Sequence, residues 1–417
     1  MKIKNTFLLN WLICALTLSL SLLGLELLLR KTHWFEARLS WAEPDDLLGW
    51  RLAPGKNYFY PHENPKGVFF NINRFGWRDK EWSLNKPAGV TRVAVLGDSY
   101  VEALQVEQNA TFLSVAEKEL RNLTGQEFEL MNFGRSGNTQ IEEFLTLKEH
   151  VMPFNPDLVI LFFYPVNDID DMSPKTSLSL LHPFFTEDPA TGKLQMDNSF
   201  LKKRGFKFKK MINPLKRHSV LVSLLCERLI MFNRIEQAKN AGILGDDPDA
   251  EKNLKGYLSL ATATPDPQYA RNYALSKRLL HEMQALCRTR GIPLILVAID
   301  IPPYLPEVEK KLMAVNKTFQ MNFFDDDLKR LAESEGMGYV GLQRIFSSSY
   351  EETGKALHFK YWDTLGTRGY WEYGAHTGHW NYEGHRLVAD TIAQKIKELL
   401  IQNGALKPGI SFHKDSS

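Results

Sequence analysis

Cysteine is nearly missing from this chain, with three in 417 residues: Cys14 in the apolar amino-terminal stretch, then only Cys226 and Cys287. Three scattered thiols make neither a disulfide framework nor a thiolate metal site. A single Cys226–Cys287 bridge stays open, although both residues lie in helix-like sequence, which argues against it. Charge imbalance is lacking too, since 51 Lys and Arg face 49 Asp and Glu for a formal net charge of +2. That excludes a bulk attraction to nucleic acid and leaves any charged partner to a local patch. No internal repeat or low-complexity tract stands out, so a repeat array is not indicated.

What is present is ordinary globular composition, 44% hydrophobic and 12% aromatic. The length then implies one sizeable catalytic core with additions rather than two equal domains. Residues 1–31 carry Lys2 and Lys4, then an apolar run from Thr6 to Leu29 broken mainly by Asn10 and Glu26, then Arg30-Lys31. The run is long enough to span a bilayer and lacks the small-x-small exit of a cleaved signal, so it reads as an uncleaved single-pass anchor in the cytoplasmic membrane. Lys2 and Lys4 compete with Arg30, Lys31 and Arg38 in the positive-inside comparison, so charge alone does not orient it.

Residues 32–90 form a β-rich lead-in, with strands expected at Lys56–Tyr60 and Val68–Ile72 and a turn at Asn73-Arg74-Phe75-Gly76. Its aromatics, Trp50, Phe59, Tyr60, Phe69, Phe70 and Trp77, are expected to pack on the core rather than to form a carbohydrate platform. From Thr91 the pattern becomes alternating strand and helix, within one domain over 91–405. Strands are expected at Arg92–Leu96, Phe128–Phe133, Asp157–Tyr164, Pro293–Ile299 and Gly338–Gly341. Helices are expected at Ala110–Leu123, Gln140–Val151, Tyr269–Arg290, Asp325–Glu335 and Gly384–Gln402. Such alternation predicts an α/β fold, a parallel sheet covered on both faces.

Residues 170–266 interrupt this rhythm as a helical insertion, with no clear buried strand. The insertion carries Lys202, Lys203, Arg204, Lys207, Lys209, Lys210, Lys216 and Arg217, with Phe206 and Phe208 interleaved and no acid among them, before an apolar helix from Ser219 to Phe232. A solvated loop, an anionic membrane surface and an acidic polymer all suit that stretch; nucleic acid is not expected. Residues 406–417 read as a frayed tail.

Four blocks carry the chemistry. Val93-Ala94-Val95-Leu96 ends in Gly97-Asp98-Ser99; Asn132-Phe133-Gly134-Arg135-Ser136-Gly137-Asn138 follows the second strand; Tyr164-Pro165-Val166-Asn167-Asp168 follows the third; His379-Trp380-Asn381-Tyr382-Glu383-Gly384 opens the last helix. All fall on one rim of the expected sheet, where open α/β sheets keep their sites. Each residue has a blander role available: Ser99 as a helix cap, Gly137 and Asn167 as turn formers, His379 as a histidine satisfied by backbone.

Together the four blocks resemble the SGNH (GDSL-type) hydrolase family, over roughly Thr91–Asp168 and Pro267–Leu400. The resemblance implies a flavodoxin-like three-layer α/β/α fold and ester chemistry on acyl or acetyl esters of lipids, carbohydrates or envelope polymers. It implies Ser99 as nucleophile, Gly137 as a backbone N–H donor, Asn167 as a side-chain donor and His379 as base. It also favours a catalytic domain outside the membrane. No cofactor or metal is expected: His376, His379 and His385 cluster, but no acidic ligand has suitable spacing. The expected function is a serine esterase acting on O-acyl, above all O-acetyl, groups, with an O-acyltransferase or a non-catalytic glycan-binding protein as alternatives.

One position departs from the family pattern. Where an Asp is usual, three or two residues before the histidine, this chain has His376 and Thr377. A backbone carbonyl or His376 orienting His379, a carboxylate arriving from elsewhere such as Glu372 or Asp363, and a site weakened into a binding pocket all stay open.

Overall fold

The computed structural model describes residues 2–32, 41–60, 62–177, 179–188, 190–226, 228–229, 232, 260–301, 305–360 and 378–404. His376, Thr377, Glu372 and Asp363, and the 406–417 tail, lie outside the described residues.

Continuous apolar runs suit strands buried on both faces, and here they form the sheet. The strands β5 (Val90–Gly97), β6 (Glu127–Gly134), β7 (Leu158–Phe163), β10 (Leu294–Ala298) and β11 (Gly338–Gly341) are parallel, in the order β11-β10-β7-β5-β6. Numbered among themselves along the chain, these strands run 2-1-3-4-5, the flavodoxin-like order. All six residues of β7 are buried. The strand order reverses between β5 and β6 on one side and β7 on the other, so the carboxyl ends of these three strands face a common crevice.

Helices close both faces. Among the described residues the helices include the short α2 (Ser99–Glu102), α3 (Phe112–Thr124), α4 (Gln140–Thr146), α5 (Asn167–Asp170), α7 (Pro267–Thr289), α8 (Pro306–Val315), α9 (Phe323–Glu335), α10 (Leu342–Thr353) and α11 (Tyr382–Gln402), with the amino-terminal α1 (Lys2–Thr32) and the insertion's α6 (Arg204–His218) lying apart from the sheet. Their caps are those the sequence offers: the Thr111 hydroxyl accepts from Ser114 N–H, and Asn381 accepts from Glu383 and Gly384 N–H. The five expected strands and five expected helices are all present, with ends shifted by a few residues; α8 and α10 were not anticipated.

The lead-in holds two antiparallel pairs, β1 (Ala42–Asp45) with β2 (Gly49–Leu52) and β3 (Gly55–Tyr60) with β4 (Val68–Ile72). Trp77 is buried in the main core and Phe70 in a smaller cluster with Trp41 and Leu52, whereas Phe69 is exposed. The insertion differs from expectation in opening with a β-hairpin, β8 (Phe184–Glu187) paired with β9 (Leu194–Asp197). These strands are four residues long and bury mainly Phe184 and Phe185, too little for an apolar run to register in sequence. Cys14, Cys226 and Cys287 are free thiols, so the Cys226–Cys287 bridge is not formed.

Candidate active site

β5 ends at Gly97 because the chain turns there against Val101 and Phe162. A Cβ on Gly97 would meet Val101 Cγ2 at 2.4 Å and Phe162 Cβ at 3.1 Å. Close approach, rather than an unusual φ, is what requires glycine at this position. The Asp98 side chain accepts from Tyr100 N–H at 2.9 Å and holds the turn, leaving Ser99 as the first residue of α2.

Ser99 Oγ lies 2.7 Å from His379 Nε2. The histidine precedes α11, and its ring packs on Tyr100 with centroids 4.7 Å apart. The next residue, Trp380, is fully buried and donates its indole N–H to Asp300 Oδ1 at 2.9 Å. The segment is tied further by Phe359 N–H to His379 O at 2.8 Å.

The other ring nitrogen answers the question left by His376. Glu63, in the lead-in between β3 and β4, lies 2.9 Å and 3.1 Å through its two oxygens from His379 Nδ1, and Oε2 also accepts the His379 backbone N–H at 2.7 Å. The Glu63 side chain is 6% exposed against 23% for His379. Burial alone would raise the Glu63 carboxyl pKa, but the histidine charge and the hydrogen bonds outweigh it and the net shift is downward. Burial likewise would lower His379, yet the Glu63 carboxylate prevails and raises it. With Glu63 accepting from Nδ1–H, the Nε2 lone pair faces Ser99.

Two details show how closely this acid is fitted. Glu63 has φ +64°, the left-handed region that non-glycine residues rarely enter. Opposite it, a Cβ on Gly378 would lie 2.7 Å from Glu63 Oε2. The neighbouring Asn64 donates to Gln105 O and to Tyr382 OH, each at 3.0 Å, pinning the lead-in loop to the core.

Gly137 lies on the turn after β6 with φ +72°. The turn is held by buried Glu102 of α2, whose Oε2 accepts the Ser136 N–H at 2.6 Å as well as the Ser136 hydroxyl. Among the described residues the N–H groups of Ser99 and Gly137 meet no acceptor. The Asn167 amide is adjacent but engaged, donating to Asp98 Oδ2 at 2.9 Å and to Asn138 O at 2.7 Å. Behind it lie three buried carboxyls, Asp98, Asp168 and Glu143; burial raises all three, and Asp168 and Glu143 stand well above the ordinary range.

Ser99 and His379 are thus in direct contact, with Gly137 on the adjoining turn and Asn167 at the start of α5. Sequence reasoning did not name Glu63. The only local signal is a Pro-flanked turn, His62-Glu63-Asn64, which resembles many surface loops. His385, the third member of the histidine cluster, is a core residue: it is buried, its Nδ1 accepts the Phe112 N–H at 3.3 Å, and burial holds its pKa down to about 3. Among the described residues no group of side chains has the makings of a metal site.

No family model matches this sequence, and no curated protein does. Among solved structures the chain is similar to a G-D-S-L family lipolytic protein from Desulfitobacterium hafniense DCB-2, with 9% identity and a TM-score of 0.36, over 73% of this chain and 99% of that one. It is similar to LAE5, an alpha/beta hydrolase from the metagenome of Lake Arreo, with 14% identity and a TM-score of 0.39, over 74% and 95%. A catalytic mutant of Axe2, an acetylxylan esterase from Geobacillus stearothermophilus, has 14% identity and a TM-score of 0.36, over 73% and 94%.

Proposed function

We propose that this chain is a serine ester hydrolase of SGNH type working through a Ser99–His379–Glu63 triad. The observation that carries the reading is the unbroken contact from Ser99 Oγ through both His379 nitrogens to the buried Glu63 carboxylate. As Ser99 Oγ bonds to the acyl carbon, His379 Nε2 takes the hydroxyl proton. The charge gathering on the carbonyl oxygen is met by the Ser99 and Gly137 N–H groups, and Asn167 joins by exchanging one of its present hydrogen bonds. The bond to the leaving alcohol breaks as that oxygen receives the proton from Nε2. Water then attacks acyl-Ser99, His379 takes one water proton, and the carboxylic acid departs as Ser99 is reprotonated.

The substrate class, O-acyl and above all O-acetyl groups on a carbohydrate or envelope polymer, follows from the motif resemblance. The α1 helix is read as an uncleaved anchor in the cytoplasmic membrane, with the catalytic domain outside. Its stretch Leu9–Lys31 is long and apolar enough to span. Glu26 and Arg30 of that stretch bond to residues 218–221, which supports retention over cleavage.

The test is full-length protein with p-nitrophenyl acetate and a serine-reactive fluorophosphonate. Turnover and labelling at Ser99 are expected, both lost in Ser99→Ala and restored in neither by pH. Folded wild-type protein that neither turns over nor labels would refute the hydrolase. Acetate appearing on an added glycan instead of in water would reassign it as a transferase.

A further inference from the structure

The insertion turns apolar side chains outward where a soluble domain would hide them. On α6, Phe208, Met211 and Leu215 are 52%, 67% and 59% exposed. Their spacing of three and four places them on one helix face. The opposite face holds buried Phe206, packed edge-on against Phe200. Past Ser219 the chain is helical again over 220–226, and Leu225, Leu229 and Phe232 repeat the spacing, each more than half exposed. Two successive outward apolar stripes of this size call for a partner.

Six of the eight cations of the stretch divide between two tasks. Lys203 donates to Leu180 O, Lys210 bonds Asp46, Lys216 donates to Ala42 O and Arg217 pairs with Glu43, so these four fasten α6 to β1 and its surroundings. Arg204 and Lys207 are exposed and fall on the outward face beside the apolar stripe. Long basic side chains there can keep their charge in water while their stems lie along apolar surface.

The position of these stripes identifies the partner. Where α6 gives way to the 220–226 helix, the chain is stapled to α1. Glu26 accepts from Ser219 Oγ and from Val220 and Leu221 N–H, each at 2.9 Å, and from Arg30 at 2.7 Å, while Arg30 donates to His218 O. Glu26 precedes the end of the Leu9–Lys31 span by five residues, about 7–8 Å along the axis at 1.5 Å per residue. A carboxylate at that depth is costly in lipid unless partnered, and the start of the second helix supplies its donors.

We infer that α6 and the following helix form an interfacial element lying in the headgroup layer of an anionic leaflet beside α1. There Phe208, Met211, Leu215, Leu225, Leu229 and Phe232 are immersed and Arg204 and Lys207 contact lipid phosphate. The inference rests on reading α1 as a membrane span. It gives the Ser99 site a set height and orientation above the bilayer rather than a free tether.

The test uses full-length protein in phosphatidylcholine vesicles with and without phosphatidylglycerol. Cys14, Cys226 and Cys287 are replaced by Ser or Ala, and single nitroxide-labelled cysteines are placed at Leu18, Met211, Leu225, Leu229 and, as controls, Phe69 and Leu84. Each variant is required to keep the parent's melting transition. Collisional relaxation by oxygen reports lipid exposure, and relaxation by a water-soluble nickel chelate reports water exposure. Oxygen-dominated relaxation is expected at Leu18, Met211, Leu225 and Leu229, and nickel-dominated relaxation at Phe69 and Leu84. Exchanging both cations, R204E with K207E, is expected to return nickel access at Met211 only where phosphatidylglycerol is present. Nickel access at Met211, Leu225 and Leu229 with Leu18 in lipid would overturn the interfacial element alone. Nickel access at Leu18 would overturn the anchor reading and with it the arrangement beside α1. Shielding of Met211 and Leu225 from both reagents would overturn the lipid contact in favour of a second copy of the chain.

Discussion

Glu63 is the residue on which the site turns. It occupies a backbone conformation that costs a non-glycine residue on the order of 1–3 kcal/mol, and such strain persists where surrounding structure enforces it. Its hydrogen bonds to both the ring and the backbone of His379 are what enforce it here. On the proposed mechanism His379 must be neutral to accept the Ser99 proton, so kcat/KM is expected to rise with pH through an ionisation above the ordinary 6.5. In Glu63→Gln the raising charge is gone while burial still opposes protonation. The acid limb therefore moves to lower pH and the plateau falls by roughly 10²- to 10⁴-fold. An unshifted limb with an undiminished plateau in a pH–rate profile would remove Glu63 from the triad.

At the level of elements, β7 carries the crevice from beneath. Phe162 is fully buried, with ring centroids 5.0 Å from Phe112 and 6.2 Å from Trp380, the residue after His379. Truncation to Ala leaves a void the packed neighbours cannot fill, so Phe162→Ala is expected to cost about 3–5 kcal/mol. Phe162→Leu, which removes less of the buried side chain, should cost less than that. Thermal unfolding followed by tryptophan fluorescence distinguishes them, and equal melting temperatures would contradict the packing described. The strands were legible because a parallel sheet demands continuous apolar runs, and the helices because one-sided burial leaves a stripe. The β8–β9 hairpin was not, since it buries mainly two phenylalanines and is otherwise exposed or half-buried.

For the whole molecule, buried carboxyls set the pH response of stability. Burial raises Asp300 to about 8 and Asp170 to about 7, and Asp168 and Glu143 well above their ordinary range. A carboxyl with a raised folded pKa holds its proton more tightly when folded, so its stabilisation is complete below the unfolded value and lost as pH rises through the folded one. His379 and His182, also raised, lose their contribution in the same direction. His385, lowered to about 3, acts oppositely, but only up to the ordinary histidine value of 6.5. Above that pH the contributions named here agree, until Lys216, which burial holds down to about 8, begins to oppose them, so the melting temperature is expected to fall between pH 6.5 and 8. Asp300→Asn should flatten the decline near pH 8; a melting temperature that climbs over this range would refute the account.

Strand–turn chemistry is local, and so the sequence by itself determined the α/β core and the rim of four blocks, and the family resemblance those blocks carry implied Ser99, Gly137, Asn167 and His379 as candidate members. Each of these sits beside the end of a strand or the start of a helix whose pattern is written in its immediate neighbours. What orients His379 was decided only in three dimensions. Glu63 lies 316 residues earlier, in a turn whose sequence differs little from other surface turns. Its nearness to His379 comes from Asn64 gripping Gln105 and Tyr382, and from the absence of a side chain at Gly378. No periodicity or spacing encodes a contact made by the packing of a lead-in against the core it precedes.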